Sequence, residues 1–319
     1  MSFLATGVGA TVPGVDRTEW PTWREAWQAA LYGPSGFYRR ESPRDHFRTS
    51  VHASPLLAEA VCRLARRRGL ASVLDLGAGG GELLTQLSGI CGAELSLGGV
   101  DLAPRPSGIA ASIAWSRVLP ERIDGLVVAN EWLDNVPCDV VELDRTGVPR
   151  VVHVETVTGA EGLGARCTDP WLPRWWPLAH PGDRAEVGSA RDEAWNDLVR
   201  RLDGGLAVAI DYGHTRGTRP RFGSLASYRR GRLVDTVPDG SRDVTAHVAV
   251  DSLQGHRVRQ RDALHVFGID GNRPAVELAR TDPTAYLAAL GRASQAAELI
   301  AGGGLGDFWW VSSAPIVTA

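Results

Sequence analysis

Short apolar runs alternate with stretches of helical period between residues 56 and 211. The pattern predicts strands at 72–76, 97–102, 124–129 and 206–211 and helices at 56–68 and 82–90. The runs at 124–129 and 206–211 are apolar almost throughout, which is typical of strands that are covered on both faces. The alternation of strands with helices therefore predicts an α/β fold built on a parallel sheet.

An N-terminal segment precedes this pattern. Residues 1–55 carry tryptophans at helical spacing, so we predict a cap or lid ahead of a main domain at 56–319. Within the segment, residues 31–38 and 45–50 combine aromatic, glycine and hydroxyl residues without a helical period. They are either surface turns or a lid that excludes water from a ligand.

The main domain is predicted to carry insertions at about 138–190 and 213–250. Alternating residues at 140–143 and 151–157 predict a hairpin. Residues 170–182 contain four prolines, which argue against a helix. The glycine- and arginine-rich stretch at 213–247 predicts a long loop. The pattern closes with a helix near 283–300 and a strand at 308–311.

A glycine turn follows the first predicted strand. Its residues are Asp75, Gly77, Ala78, Gly79 and Gly81. Glycine lets the backbone turn sharply and approach a nucleotide-like ligand closely. The dinucleotide pattern G-x-G-x-x-G fails because Glu82 stands at its third glycine. The D-x-G-x-G-x-G pattern used by S-adenosyl-L-methionine (SAM) methyltransferases is complete, so the turn predicts a methyl-donor site.

Asp101 and Leu102 stand at the end of the second predicted strand, 20 residues past Gly81. An acid at this point of a nucleotide-binding α/β fold accepts hydrogen bonds from ribose hydroxyls. The alternative is a solvated aspartate at a strand end. Its spacing from the glycine turn favours ribose binding.

Polar residues also follow the two later strands. Asn130, Glu131 and Asp134 come after the run at 124–129, and Asp211 ends the run at 206–211 with Tyr212 directly after it. Because ligands bind off the carboxyl ends of the strands in open α/β sheets, these groups are predicted to hold a cationic acceptor or to touch the sulfonium donor, with Asn130 assigned to the cofactor. Asn130 could instead be a helix N-cap, and Tyr212 could be a core residue.

Residues 243–248 form the next candidate segment. If extended, it places Asp243, Thr245 and His247 on one face. His247 is either a base or a structural histidine. The histidines show no spacing that indicates a metal site, and no G-x-S-x-G elbow indicates a hydrolase.

Several of these blocks, in this order, resemble the MidA-type SAM-dependent methyltransferases, whose mitochondrial members assist complex I assembly and methylate a protein arginine. The matching segments are 31–38, 45–55, 74–79, 129–137, 211–213, 223–228 and 243–248. The resemblance implies a Rossmann-like class I methyltransferase fold with SAM as the cofactor. It also implies a donor site at the glycine turn and Asp101, and an acceptor site at Asn130, Glu131, Asp134 and Asp211.

Composition limits the other possibilities. A net charge of -3 gives no electrostatic case for nucleic acid, and no run has the ~20 apolar residues of a membrane span. The four cysteines form no C-x-x-C pair, so neither a disulfide framework nor a zinc site is expected. With no signal peptide pattern at the N-terminus, a cytoplasmic location is predicted.

The predicted activity is methyl transfer from SAM to a nitrogen, with the arginine side chain of a partner protein as the acceptor. Glu131 is predicted to hold a cationic acceptor, and Asp134 or Asp211 to orient it. Two alternatives stay open. One is methylation of a small molecule in an apolar pocket lined by Trp171, Trp175 and Trp176, and the other is a non-catalytic SAM-binding assembly factor.

Overall fold

A computed structural model describes residues 19–40 and 50–316. Residues 45–49 of the predicted lid lie outside this range, as does the start of the predicted cap. Among the described residues, no helix has the length and apolar character needed to cross a membrane.

Helices and strands alternate along the chain and are numbered separately in chain order. The helices are α1 (Trp23–Tyr32), α2 (Phe37–Arg40), α3 (Ser50–Ala53), α4 (Leu56–Arg67), α5 (Glu82–Cys91), α6 (Trp171–Trp175), α7 (Ser189–Arg200), α8 (Gln260–Val266), α9 (Val276–Thr281) and α10 (Pro283–Ile300). The first strands are β1 (Ser72–Leu76), β2 (Ser96–Val100), β3 (Ala114–Ser116), β4 (Leu126–Asn130), β5 (Asp139–Leu143), β6 (Pro149–Val154), β7 (Glu161–Arg166) and β8 (Arg184–Val187). The later strands are β9 (Leu206–Asp211), β10 (Gly213–His214), β11 (Ala226–Arg229), β12 (Arg232–Val234), β13 (Asp243–Thr245), β14 (Val248–Ala249), β15 (His256–Arg259) and β16 (Trp309–Ser312).

The chain divides into two compact units. The first takes in Met1–Arg40, Pro137–Ala190 and Arg216–Ala246, and the second takes in Glu41–Val136, Arg191–Thr215 and His247–Ala319. The division passes near the ends of the predicted insertions. The domain boundaries proposed from the sequence stay a prediction.

The second unit contains a seven-stranded sheet in the order β15-β16-β9-β4-β1-β2-β3. The strands from β9 to β3 are parallel, and β16 is antiparallel to both of its neighbours, β9 and β15. Its apolar residues alternate between two cores: Val128 and Ile210 pack with α4, α5, α8 and α10, whereas Val127 and Ala209 pack with α7. This two-sided burial explains the continuous apolar runs, and the predicted α/β fold is confirmed.

Local predictions in this unit agree closely with the structure. The strands at 72–76 and 206–211 and the helix at 283–300 have the predicted bounds. β2 ends at Val100, so Asp101 and Leu102 lie just beyond the strand. β4 runs to Asn130, one residue later than predicted, because its ladder with β9 continues to Ile210.

The first unit contains an antiparallel sheet, in the order β7-β6-β5-β8, and a smaller sheet of β12, β11 and β13. The predicted hairpin is confirmed, since Val141 of β5 faces Val151 of β6. Helix α1 begins at a capping box between Thr22 and Glu25 and buries Trp23 against the apolar face of β5 and β6.

Three segments differ from their predictions in whole or in part. Residues 170–182 contain the short helix α6, because Pro170 is its N-cap and Pro173 lies in its first turn, where a missing N–H breaks no helical bond. At 31–38 the surface-turn alternative holds in part, since Pro34 and Ser35 form an exposed turn whereas Leu31 and Phe37 are fully buried in an apolar cluster. The predicted loop at 213–247 instead contains the short strands β10 to β13.

The expectation of no disulfide is also wrong. Cys62 of α4 and Cys91 of α5 are bonded, with Cα atoms 6.8 Å apart. They are 29 residues apart in sequence but belong to one buried cluster, because α4 and α5 pack on the same face of the sheet. Sequence spacing cannot show this proximity, since it depends on helix packing.

Candidate functional site

The glycine turn joins β1 to α5 in the second unit. Gly77, Gly79 and Gly81 have φ angles of 75°, 53° and 76°, in the left-handed region where glycine is favoured. The N–H groups of Gly77 and Ala78 donate to the carbonyl of Val100 at 2.9 and 3.2 Å. The turn is therefore fixed against the end of β2.

Asp101 lies directly at this turn. One of its carboxylate oxygens accepts the Gly79 N–H at 2.8 Å, and the other accepts the Ala103 N–H at 2.7 Å. A carboxylate oxygen has lone pairs left after one such bond, so hydroxyl groups of a ligand can still bind. Leu102 next to it is 46% exposed.

Three carboxyl groups gather near the turn. Burial, together with the nearby Asp101 and Glu82 carboxylates, raises the pKa of Asp75 to about 8. Burial also raises the pKa of Asp101, against the lowering effect of its two backbone hydrogen bonds. Glu82, whose place at the third glycine position excludes the dinucleotide pattern, folds back so that its carboxylate covers Gly80.

The turn can accommodate a cationic, ribose-bearing ligand. The space where a Cβ on Gly79 would stand is open, the nearest atom being a Glu82 carboxylate oxygen at 3.9 Å. Ionised Asp101 and Glu82 favour the positively charged sulfonium and ammonium groups of SAM. The residues present thus fit this donor.

The segment after β4 is held in an unusual conformation. Glu131 has a φ of 52°, which costs a non-glycine residue free energy and persists where the surroundings impose it. Its N–H donates to the carbonyl of Ile210 at 2.8 Å, and its Oε1 accepts the Asn130 side chain at 3.2 Å. The N-cap alternative for Asn130 is wrong, because the next helical turn, Leu133–Asn135, has Trp132 at its N-cap.

Trp132 links this segment to the donor turn. Its Cδ1 atom lies 3.4 Å from the position of a Cβ on Gly77, so the indole packs on the glycine itself. This close approach places the segment that follows Glu131 beside the predicted donor site.

Asp134 and Asp211 are both buried, each 2% exposed. Asp211 Oδ2 accepts the N–H groups of Leu133 at 2.9 Å and Asp134 at 3.3 Å. Asp134 accepts the Asn135 side chain at 2.9 Å on Oδ1 and the Tyr212 hydroxyl on Oδ2. Of the three acids, Glu131 is the one that is half-buried and reaches solvent.

The two buried acids differ in their surroundings. Burial raises the pKa of Asp211 well above its usual value, and the nearby Asp134 and Glu131 carboxylates add to this increase. Among the described residues, Asp211 Oδ1 and Asn130 Oδ1 have no hydrogen-bond partner. The neutral form of Asp211 is therefore favoured, whereas each carboxylate oxygen of Asp134 accepts a hydrogen bond from a neighbouring side chain.

Arg191, at the first turn of α7, is a site residue that the sequence patterns do not reveal. It is 2% exposed and donates to the carbonyls of Asp134 at 2.7 Å, His247 at 2.9 Å and Val136 at 3.2 Å. It fixes the backbone on either side of Asn135. An arginine in a polar helix gives no sequence indication that it is buried.

Aromatic rings border the acids in the same unit. Tyr212 packs edge-on against His247, with centroids 5.1 Å apart, and against Phe308 at 5.5 Å. His247 is exposed, whereas Asp243 and Thr245 are buried, so the predicted common face for these three residues is wrong. The strand ends at Thr245, which stops the alternation before His247.

The tryptophans proposed to line an apolar pocket lie in the first unit. Trp171 and Trp176 are buried, and Trp175 is half-buried with the Arg174 guanidinium 4.9 Å from its ring centroid. Asp243, in the same unit, accepts the Tyr38 hydroxyl at 2.8 Å. Within the described ranges, no group of histidine, cysteine and acidic side chains is arranged to hold a metal ion.

Most of the site residues lie in the part of the chain that one family model matches. A family model described as "Putative S-adenosyl-L-methionine-dependent methyltransferase" matches residues 86–269. This range contains Asp101, Glu131, Asp134, Arg191 and Asp211. No curated protein matches the chain.

Two solved structures share the fold over nearly the whole chain. One is a candidate methyl transferase from Burkholderia thailandensis bound to S-adenosyl-homocysteine, with 24% identity and a TM-score of 0.75. The other is the native structure of an uncharacterised protein from the same organism, with 24% identity and a TM-score of 0.73. Each match covers 98% of this chain and 96% of the other.

Proposed function

The chain belongs to a family of SAM-dependent methyltransferases, and from this premise we propose that it methylates an arginine nitrogen on a partner protein. The cofactor, SAM, supplies a methyl group on a positively charged sulfur, which is already activated for transfer. The remaining work of the site is to bind the acceptor, orient it and remove its proton.

Glu131 carries the proposal for the acceptor. It is the half-buried acid of the segment whose Trp132 packs on Gly77 of the donor turn. A carboxylate in this place favours a guanidinium, because charge-assisted hydrogen bonds between these groups are strong and directional. The resemblance of several motifs to MidA-type proteins supports arginine over other cations.

The strained backbone of Glu131 supports a binding role. At its φ of 52° the Glu131 N–H donates to the Ile210 carbonyl, and the next residue, Trp132, packs on Gly77. A strained backbone at a binding site fixes the residue before the ligand arrives, so less conformational entropy is lost on binding. Asp134 and Asp211 are buried next to this segment, and Asp211 stabilises it by accepting the backbone N–H groups of Leu133 and Asp134.

The donor half of the proposal uses the glycine turn. Gly77, Ala78, Gly79 and Gly81 would approach the donor through the backbone, and Asp101 would accept its ribose hydroxyls. Asp75, which is buried at the end of β1 just before the turn, would support the turn. Leu102 would border the adenosine of the donor, and Asn130 would border its methyl group. We place the reaction in the cytoplasm, which fractionation of the source cells would test.

The test uses labelled SAM and a cell lysate, with and without the purified protein. We expect label in a protein band with the native enzyme, and a loss of about a hundredfold or more with Glu131→Gln, which removes the charge and keeps the shape. A matched control is Glu298→Gln on the exposed side of α10. Label only in the small-molecule fraction would contradict a protein acceptor, and undiminished transfer by Glu131→Gln would contradict its role.

A further inference from the structure

The reaction requires a group that takes a proton from the acceptor. A nitrogen or oxygen nucleophile loses one proton when it gains a methyl group, and a guanidinium does so while staying cationic. General bases contribute about a hundredfold to ten-thousandfold to such steps. None of the three acids is well placed to act alone, because Glu131 is assigned to the acceptor's charge and the other two are buried.

Tyr212 is a half-buried tyrosine whose hydroxyl is hydrogen bonded to a buried acid. Its hydroxyl donates to Asp134 Oδ2, and its ring is half-buried, whereas Asp134 is 2% exposed. A hydroxyl that donates its proton inward can accept another proton from outside on an oxygen lone pair. This polarity suits a relay in which the tyrosine accepts one proton as it gives up another.

Neighbouring residues hold Tyr212 and Asp134 in place. Asp134 is held by its backbone N–H to Asp211, by its carbonyl to Arg191 and by its second carboxylate oxygen to Asn135. The Tyr212 ring is fixed between His247 and Phe308. A fixed hydroxyl and a fixed carboxylate need little rearrangement during proton transfer.

Asp211 does not compete for the proton. Burial and the neighbouring Asp134 and Glu131 carboxylates raise its pKa well above the usual value, which favours its neutral form. Arg191, whose charge also acts on Asp211, faces the backbone carbonyl of Asp134. Asp134, whose Oδ2 already accepts the Tyr212 hydroxyl, is therefore the acid placed to take the tyrosine proton.

The position of Tyr212 relative to the donor turn follows from the sheet. Tyr212 comes directly after β9, which pairs with β4, and β4 pairs with β1, which leads into the glycine turn. The carboxyl ends of these parallel strands lie at one edge. Asp134 lies two residues after Trp132, whose indole packs on Gly77.

We infer that Tyr212 is a catalytic residue that takes the acceptor's proton on its Oη atom while its own hydroxyl proton passes to Asp134 Oδ2. In the same step the nucleophile forms a bond to the methyl carbon as the bond from methyl to sulfur breaks, with its electron pair staying on sulfur. The tyrosine is neutral before and after, Asp134 ends protonated, and the proton then returns to water. This inference rests on the proposed methyl transfer.

The test compares Tyr212→Phe, Asp134→Asn and the native protein, with Tyr286→Phe on α10 as the matched control. The probe is an arginine-containing peptide with labelled SAM, and binding of S-adenosyl-homocysteine is measured by calorimetry. For Tyr212→Phe, which keeps the ring contacts, we expect kcat to fall about a hundredfold or more. The peptide KM and the S-adenosyl-homocysteine Kd should change by less than about threefold.

The outcomes separate the inference from the proposed function. Transfer by Tyr212→Phe within about threefold of native would overturn the relay. Equal loss of transfer and of S-adenosyl-homocysteine binding would also overturn it, since the hydroxyl would then serve only the structure. Retained transfer by Asp134→Asn would remove the second half of the relay. Absence of transfer by the native protein to the peptide would contradict arginine methylation itself.

Discussion

Asp75 gives the sharpest prediction about stability. It lies on β1 between Gly99 of β2 and Val128 of β4, and it is 4% exposed. In the folded protein its pKa is raised to about 8 from 3.8, chiefly because burial disfavours the charged form. Replacing it by asparagine keeps the size of the side chain and fixes the neutral state.

The sign of the pH effect follows from proton binding. Between the unfolded and folded pKa values, the folded protein holds one proton that the unfolded chain has released. The stability that Asp75 contributes is therefore complete below the unfolded pKa and is lost as pH rises toward about 8. The slope is about 1.4 kcal/mol per pH unit, so from about pH 5 to about pH 7 the loss is about 3 kcal/mol.

Urea unfolding at several pH values measures this loss. We expect the free energy of unfolding of the native protein to fall by about 3 kcal/mol relative to Asp75→Asn between about pH 5 and about pH 7. Asp124→Asn, at an exposed position before β4, is the matched control and should follow the native protein. A difference between Asp75→Asn and native that does not change with pH would refute a proton held by Asp75.

Three further substitutions test the site. Glu131→Gly should raise the free energy of unfolding by about 1 kcal/mol, because glycine accepts the φ of 52° freely, and should abolish methyl transfer. A loss of stability on urea unfolding would show that the backbone at this residue is not strained. Gly81→Ala should lower the free energy of unfolding by about 1–2 kcal/mol, because of the φ of 76°, and should weaken S-adenosyl-homocysteine binding. The control Gly89→Ala in α5, where a Cβ meets no atom within 4 Å, should stabilise the protein. Equal effects of the two substitutions would count against a conformational requirement at the turn. Arg191→Met should cost about 2–3 kcal/mol by removing the hydrogen bonds to the carbonyls of Asp134, Val136 and His247, of which the first is buried. Thermal unfolding close to that of exposed Arg200→Met would contradict this role of Arg191.

The sequence predicts the strand–turn–helix that carries the proposed donor residues well, because this structure is local. Asp75, the glycines and the start of α5 lie within one strand–turn–helix, and each glycine has the left-handed φ for which it was singled out. Asp101 is also placed by a local rule, since it follows the next strand along the chain. The close approach of the Glu82 carboxylate to Gly80 depends on a rotamer and was not predicted.

The acceptor half depends on contacts between distant residues. Asp134 receives hydrogen bonds from Tyr212, 78 residues away, and its carbonyl binds Arg191, 57 residues away. The pattern places Asp134 and Asp211 at strand ends but cannot show that both are buried while Glu131 is accessible. The Cys62–Cys91 bond was missed for the same reason, because it depends on the packing of two helices. Helix α6 was missed because its tolerance of proline depends on where in the helix each proline falls.

The most direct test of arginine methylation is to hydrolyse the labelled protein fraction and identify the amino acid that carries the methyl group. The proposed site predicts that the label elutes as methylarginine, and that it disappears from this peak with Glu131→Gln. Label recovered in another amino acid, or only in small molecules, would contradict the assignment of a guanidinium to the acid beside the donor turn.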